Sequence, residues 1–179
     1  MNIFRNTIFI LALGMWSFPA NARMNLSLVW VPTYNLPKPT TNSGGFGIGG
    51  GGILAELRLG SKVGLELGAL YESQMLNTTT SGNIVAPLSL RIWFGHILTF
   101  SGGGYVDYQL NNLPANMSAL DYGLRGTSGV NIPMSSKLNL IAEGGYKYGL
   151  ANLSKTAGTT MSQSEAFMQF GIRFGDSSK

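Results

Sequence analysis

The sequence contains no cysteine, which excludes disulfide bonds, thiol chemistry and a cysteine-linked lipid anchor. Charge is also scarce, at 11% of the 179 residues, where a soluble domain has about 25%. No apolar run approaches the roughly 20 residues that a transmembrane helix requires. Glycine, in contrast, is abundant, with 25 residues. The length allows one domain, and the composition fits neither a disordered chain nor a helical bundle.

Residues 1–22 have the pattern of a secretory signal peptide. Arg5 supplies the positive start, residues 8–18 form a short apolar run, and Ala20-Asn21-Ala22 is a small-residue cleavage site. A buried helix or a membrane anchor is the alternative, but the apolar run is too short for either. We therefore expect a mature chain that begins at Arg23, with 11 basic and 8 acidic residues and a formal charge of +3. So small a charge does not indicate a nucleic-acid partner.

Residues 164–174 show the clearest pattern in the chain. Alternate positions are apolar from Ala166 to Phe174, whereas the positions between them include Glu165, Gln169 and Arg173. A period of two predicts a β-strand with one apolar and one polar face. Seven further segments show a similar alternation, and they are joined by connections that alternate between long and short. The long ones are expected as loops at residues 33–45, 74–83, 110–118 and 151–163.

Eight such segments with alternating long and short connections predict an all-β fold, an eight-stranded antiparallel up-and-down β-barrel. Two arrangements fit it. A transmembrane barrel places its apolar face toward lipid and its polar face in the lumen. A soluble lipocalin-like barrel places the apolar face inside. The distribution of charged and aromatic residues decides between them.

Seven of the eight acidic residues fall on the polar face, which is otherwise rich in Gly, Ser and Thr. A soluble surface would carry many more Lys and Glu residues. The seven tyrosines lie near the loop ends of their strands, and Trp93, Phe94 and Phe174 lie near the turn ends. Two aromatic belts are typical of membrane interfaces. We therefore predict a transmembrane barrel over residues 23–174, followed by a short tail at 175–179.

The lumen of an eight-stranded barrel is just wide enough for its side chains, so inward charges must pair with one another. We expect Arg91, Arg125 and Arg173 to face Glu66, Glu143 and Glu165 near the middle of the barrel. The full predicted network is structural and consists of Glu56, Arg58, Glu66, Arg91, Asp107, Arg125, Glu143, Lys147, Glu165 and Arg173.

The final strand ends in Gln-Phe-Gly-Ile-Arg-Phe at residues 169–174. In this aromatic-ended strand and in its overall pattern, the mature chain resembles the small eight-stranded outer-membrane barrels, the OmpX-like proteins and the transmembrane domain of OmpA. No motif matches residue by residue, and residues 175–179 follow the terminal aromatic. The resemblance implies a Gram-negative outer membrane, lipopolysaccharide and other outer-membrane lipids as surroundings, and an assembly machinery that recognises the last strand.

The sequence predicts no catalytic, cofactor-binding or metal site. Barrel enzymes that modify outer-membrane lipids generally use a histidine, but His96, the only one, falls in a predicted periplasmic turn. Glycines 49–52 lack the Lys-Ser/Thr partner of a phosphate-binding loop. Two functions remain open. One is a non-enzymatic barrel that binds a surface or host ligand through loops carrying Lys38 and Lys155, or that has a structural role; the other is a small conduit or a lipid-modifying enzyme.

Overall fold

The computed structural model describes residues 23–35, 45–76, 79–111, 116–156 and 162–175. The predicted signal peptide and residues 176–179 lie outside this part of the chain. Among the described residues, no helix is long and apolar enough to cross a membrane. The strands are β1 (Arg23–Trp30), β2 (Thr33–Asn35), β3 (Gly45–Arg58), β4 (Val63–Leu76), β5 (Thr79–Phe94), β6 (Leu98–Gln109), β7 (Leu120–Pro133), β8 (Leu138–Gly149) and β9 (Ser164–Phe174).

These strands close into one antiparallel barrel with eight positions around its wall. Strands β1 and β2 occupy the same position, because both pair with β3 on one side and β9 on the other. The interruption falls at Pro32, which has no N–H to donate to the ladder. Its carbonyl still accepts a hydrogen bond from the Met168 amide at 2.9 Å. The predicted eight-stranded up-and-down barrel is confirmed.

The last strand closes the barrel against the first. Leu26 pairs with Phe174 and Trp30 with Phe170, and on its other side β9 pairs with β8 from Leu138 to Tyr148. Because side chains alternate along a strand, the closure puts every second residue outside. The outer face carries exposed apolar side chains, among them Leu28, Leu67, Leu90, Phe100, Leu124, Leu140 and Met168. The inner face carries almost all the charge.

Two of the predicted loops are wrong in extent. Within 74–83, β4 continues to Leu76 and β5 begins at Thr79, and the two strands pair as far as Leu76 with Thr79. Within 33–45, residues 33–35 form β2 and Gly45 begins β3. The described parts of both segments are strand ends, and polarity alone does not distinguish a strand end from a loop.

The aromatic belts also need correction. Six tyrosines are exposed on the outer face near the loop ends of their strands: Tyr34, Tyr71, Tyr108, Tyr122, Tyr146 and Tyr148. The seventh, Tyr105, points into the lumen and is buried, as the alternation of side chains along the strand, which puts it on the same face as Asp107, predicts. At the turn ends Phe94 and Phe174 are exposed, but Trp93 is only 4% exposed and faces inward. Trp93 lies two residues after Arg91 on the same strand, so the alternation of side chains places both inside.

Glycine is required where β3 and β4 approach each other. A Cβ atom on Gly52 would lie 2.7 Å from the Cα of Leu70, and one on Gly50 would lie 2.7 Å from the Tyr71 carbonyl oxygen. No side chain fits against backbone at these distances. The glycine run at 49–52 thus belongs to a strand and relieves crowding.

A closed barrel leaves no free strand edge, and its backbone groups are paired within the wall. We therefore expect the chain, refolded in detergent, to resist SDS until it is boiled. Gel electrophoresis of heated and unheated samples and far-ultraviolet circular dichroism measure this. A helical spectrum, or a protein that stays soluble without detergent, would contradict the fold.

Candidate functional site in the barrel interior

All ten residues of the predicted network lie in the lumen and are buried. Each occupies an inward position of its strand, and the strands bring together residues that are far apart in sequence. The side chains form three groups, which we name the Arg91, Glu56 and Lys147 clusters after their central residues. Glu72, Asp121, Trp93 and Gln169, which the predicted network did not include, belong to these clusters as well.

The Arg91 cluster is centred on a guanidinium that is 0% exposed. Its Nε donates to Glu66 Oε2 at 3.0 Å, and its Nη2 donates both to Glu66 and, at 3.1 Å, to Glu143 Oε2. Its Nη1 donates to the other oxygen of Glu143. Arg91 therefore bridges two carboxylates on β4 and β8, and the planar fork of its guanidinium suits it to this role.

Arg125 does not form the ion pair that the sequence predicted. Its Nη2 donates to Gln169 Oε1 at 2.7 Å, and its guanidinium lies 4.5 Å from the centre of the Phe167 ring. Gln169 in turn donates to Glu143. Arg125 thus reaches the Arg91 cluster through an amide and stacks on an aromatic face. Among the described residues no carboxylate lies within 4 Å of it.

The Glu56 cluster lies at the turn end of the lumen. Trp93 Nε1 donates to Glu56 Oε1 at 2.7 Å, and the guanidinium of Arg58 lies 4.2 Å from the centre of the Trp93 ring. Arg173 approaches the same ring at 5.1 Å and the carboxylate of Glu56 at 3.8 Å. Arg173 also comes within 3.9 Å of Glu143, and so links this cluster to the Arg91 cluster.

The Lys147 cluster lies toward the loops. The ammonium group of Lys147 contacts Glu72 and lies 3.3 Å from Glu165 Oε2 and 3.9 Å from Asp107 Oδ2. The same end of the lumen holds Asp121, which accepts a hydrogen bond from the Tyr105 hydroxyl at 3.0 Å. This cluster therefore holds four carboxylates and one lysine, and three of the carboxylates lie within 4 Å of the ammonium group, whereas the other two clusters contain three carboxylates and four arginines.

Buried apolar side chains share the lumen with the three clusters. Along β4, Leu70 lies between Glu66 and Glu72, and along β9, Phe167 lies between Glu165 and Gln169. The whole apolar group is Val29, Val31, Leu54, Leu70, Val85, Tyr105, Ile141 and Phe167. Side chains of this size occupy the cross-section of an eight-stranded barrel.

His96 lies apart from these clusters. It is exposed in the turn between β5 and β6, at the opposite end of the barrel from the loops. Within the described part of the chain, no group of three or more His, Asp or Glu side chains is arranged to hold a metal ion.

No protein-family model matches the sequence, and no curated protein matches it. Solved structures do. Neisserial surface protein A superposes with a TM-score of 0.55 at 14% identity, over 86% of this chain and 96% of that one. OprG, an outer membrane protein of Pseudomonas aeruginosa, gives 0.54 at 10% identity, over 86% and 95%. The chain has the fold of the small eight-stranded outer-membrane barrels.

A further structure with this outer-membrane barrel fold is Ail, the attachment invasion locus protein of Yersinia pestis, in complex with the heparin analogue sucrose octasulfate. It superposes with a TM-score of 0.51 at 7% identity, over 86% of this chain and 98% of that one. At such identities the likeness concerns the fold.

In the barrel described here, two loops are joined above the lumen. Met117 and Ser154 form a β-bridge, the Ser118 amide donates to the Leu153 carbonyl at 2.8 Å, and the Lys155 amide donates to the Asn116 carbonyl at 2.8 Å. Leu153 and Ala151 are buried beneath this contact. We name residues 116–118 and 153–155 the loop platform. The Lys155 side chain is exposed on it.

Proposed function

We propose that the chain is an integral outer-membrane barrel without enzymatic activity, and that it binds ligands through its loops and contributes structurally to the membrane. The observation that carries the proposal is the inside-out distribution of side chains, with buried ion-paired clusters in the lumen and an apolar, tyrosine-belted exterior. On this proposal residues 1–22 are removed on export, and the assembly machinery recognises the last strand. The long loops face the cell exterior.

The filled lumen supports a barrel that does not conduct. Buried apolar side chains share the lumen with the charged clusters, and the Arg91 guanidinium is held on both sides by carboxylates. An ion would have to displace charges that are already paired with one another. This arrangement disfavours the alternative of a small conduit.

The position of His96 supports the absence of lipid hydrolysis. A general base must lie within hydrogen-bond reach of its nucleophile and substrate. His96 is at the turn end, so an outer-leaflet lipid would lie a full membrane thickness away. The acidic side chains of the described residues are buried and held in the clusters, where lipid cannot reach them.

The loop platform supports binding of an anionic ligand. Its cross-loop hydrogen bonds fix the backbone in advance, which lowers the entropic cost of binding. Lys155 is exposed on it, and the described loop residues 110–111, 116–119 and 150–156 contain no carboxylate. We propose lipopolysaccharide phosphates or a sulfated host glycan as ligand. The complex of Ail with a sulfated saccharide is a precedent on the same fold.

Two measurements on the full-length protein test the proposed function. In planar bilayers we expect no stable conductance, and mass spectra of lipid A from cells with and without the protein should be identical. Ohmic channels would contradict the sealed lumen. An acyl-chain loss that disappears in His96→Ala would contradict the absence of enzymatic activity.

Ligand binding is tested with sucrose octasulfate as the probe. We expect Lys155→Glu to weaken its binding to the refolded barrel, and the turn-end variant Lys62→Glu to weaken that binding less. Equal affinity in all three proteins would contradict a role for the loop platform.

A further inference from the structure

The turn end of the barrel carries a ring of exposed basic side chains. Lys62 lies in the turn between β4 and β3, Lys137 precedes β8, and Arg23 begins β1; His96 lies in the remaining turn. We name Arg23, Lys62 and Lys137 the turn-side ring. Backbone hydrogen bonds fix two of its members, because the Lys62 carbonyl accepts from the Trp93 amide at 2.8 Å and the Lys137 carbonyl accepts from the Gly175 amide at 3.0 Å.

Carboxylates are missing from this rim in the described part of the chain. All seven described acidic residues are buried in the lumen, including Glu56, which is the one nearest to the turns. Among the described residues, the charged side chains exposed at this rim are therefore all basic. The described tyrosines also avoid this rim, so the two ends of the apolar band differ in chemistry.

The position of the ring along the membrane normal follows from its apolar neighbours. Leu59, Ile97 and Met134 lie at or next to the tips of the three turns and are 50%, 52% and 60% exposed. Phe94 and Phe174, the last residues of β5 and β9, are also exposed. Apolar side chains at the tips would place the turns at the edge of the hydrocarbon layer, and the cations next to them at the level of the lipid headgroups.

We propose that the turn-side ring binds the headgroups of anionic phospholipids in the leaflet that the turns face. The inference rests on the proposed insertion of the barrel into a membrane. Basic side chains at a membrane surface attract anionic lipid, and the attraction is local to about a Debye length. An anionic cell-wall polymer is the other acidic partner on this side. Turns with apolar tips, which do not project from the membrane, favour the lipid.

Spin-labelled lipids test the proposal. The chain from Arg23 is refolded into phosphatidylcholine bilayers with a trace of spin-labelled phosphatidylglycerol or phosphatidylcholine, and the motionally restricted fraction of each is measured. We expect phosphatidylglycerol to associate with the barrel about two- to fivefold more strongly. The preference should fade in 1 M salt, where the Debye length is about 3 Å.

In the triple variant Arg23→Gln, Lys62→Gln and Lys137→Gln, the ratio of phosphatidylglycerol to phosphatidylcholine association should fall to about one, because the other lipid contacts are unchanged. The charge-conserving triple variant Arg23→Lys, Lys62→Arg and Lys137→Arg is the matched control and should keep most of the preference. The SDS resistance of each variant shows that the barrel has folded.

An unchanged preference in the glutamine triple variant, or a loss in the charge-conserving control, would overturn the proposal. So would binding to purified peptidoglycan that depends on the same three residues while the lipid preference is absent. A sample with no restricted component for either lipid would contradict membrane insertion itself, which separates the failure of the proposed function from the failure of this inference.

Discussion

Arg91→Met is expected to lower the free energy of unfolding by about 3–5 kcal/mol, because it leaves Glu66 and Glu143 buried without their shared cation. The methionine fills much of the space of the arginine stem, so the loss reports charge rather than volume. Urea unfolding of the barrel in lipid vesicles, followed by tryptophan fluorescence and by SDS resistance, measures the change.

Arg125→Met is the matched control, since Arg125 is equally buried but contacts an amide and an aromatic ring. We expect a smaller loss of about 1–3 kcal/mol, the cost of one charge-assisted hydrogen bond. Adding Glu143→Gln to Arg91→Met should recover part of the stability. Only Glu66 is then left buried without the arginine, instead of both carboxylates. If Arg91→Met and Arg125→Met cost the same, Arg91 is not the centre of the network.

Lys147→Met is the second substitution with a large expected effect. Lys147 is the only cation in its cluster, and its removal leaves Glu72, Asp107 and Glu165 close together in a buried space. We expect a loss of about 3–5 kcal/mol in the same unfolding experiment. The barrel should otherwise keep its strands, because the lysine makes no backbone contact that the wall requires.

A double-mutant cycle isolates the charge contribution. Glu72→Gln alone removes one acid from the Lys147 cluster, and in the Lys147→Met background it should be less destabilising than in the native chain, or even stabilising. Additive losses in the cycle would show that the two side chains do not interact, contrary to the contact in the structure.

The alternation of side chains made the two faces predictable. A period of two assigns a face to every residue of a strand once one residue is placed. The predicted inward positions of Glu66, Arg91 and Lys147 therefore followed from sequence alone. Their partners did not, since contacts across the lumen depend on the register and tilt of strands that are distant in the chain. Arg125 illustrates this: it is inward as predicted but lies beside Gln169 and Phe167.

Trp93 was predicted for an aromatic belt because aromatic residues near strand ends usually face the interface. The sequence did contain a contrary signal, since position 93 has the parity of Ser89 and Arg91. The indole N–H also needs an acceptor when it is buried, and Glu56 provides it. At this position the alternation of side chains along the strand thus predicted the orientation better than the residue type did.

The segment 74–83 was predicted as a loop from its Thr, Ser and Asn content. In the barrel, residues 74–76 and 79–83 belong to paired strands that continue beyond Tyr71 toward the loop end. The β-branched threonines at 79 and 80 favour the extended conformation. Composition therefore indicated the limit of the apolar band rather than the limit of the strands.

The central claim is that the apolar face is lipid-exposed and the charged face is enclosed. The chain from Arg23 contains two tryptophans that report on these faces, because Trp30 is 49% exposed on the outside and Trp93 is 4% exposed in the lumen. Trp93→Phe and Trp30→Phe each leave one of them, and fluorescence is compared in bilayers with and without brominated acyl chains. We expect strong quenching of Trp30 and an emission of Trp93 that is nearly unchanged. Equal quenching, or stronger quenching of Trp93, would contradict the account.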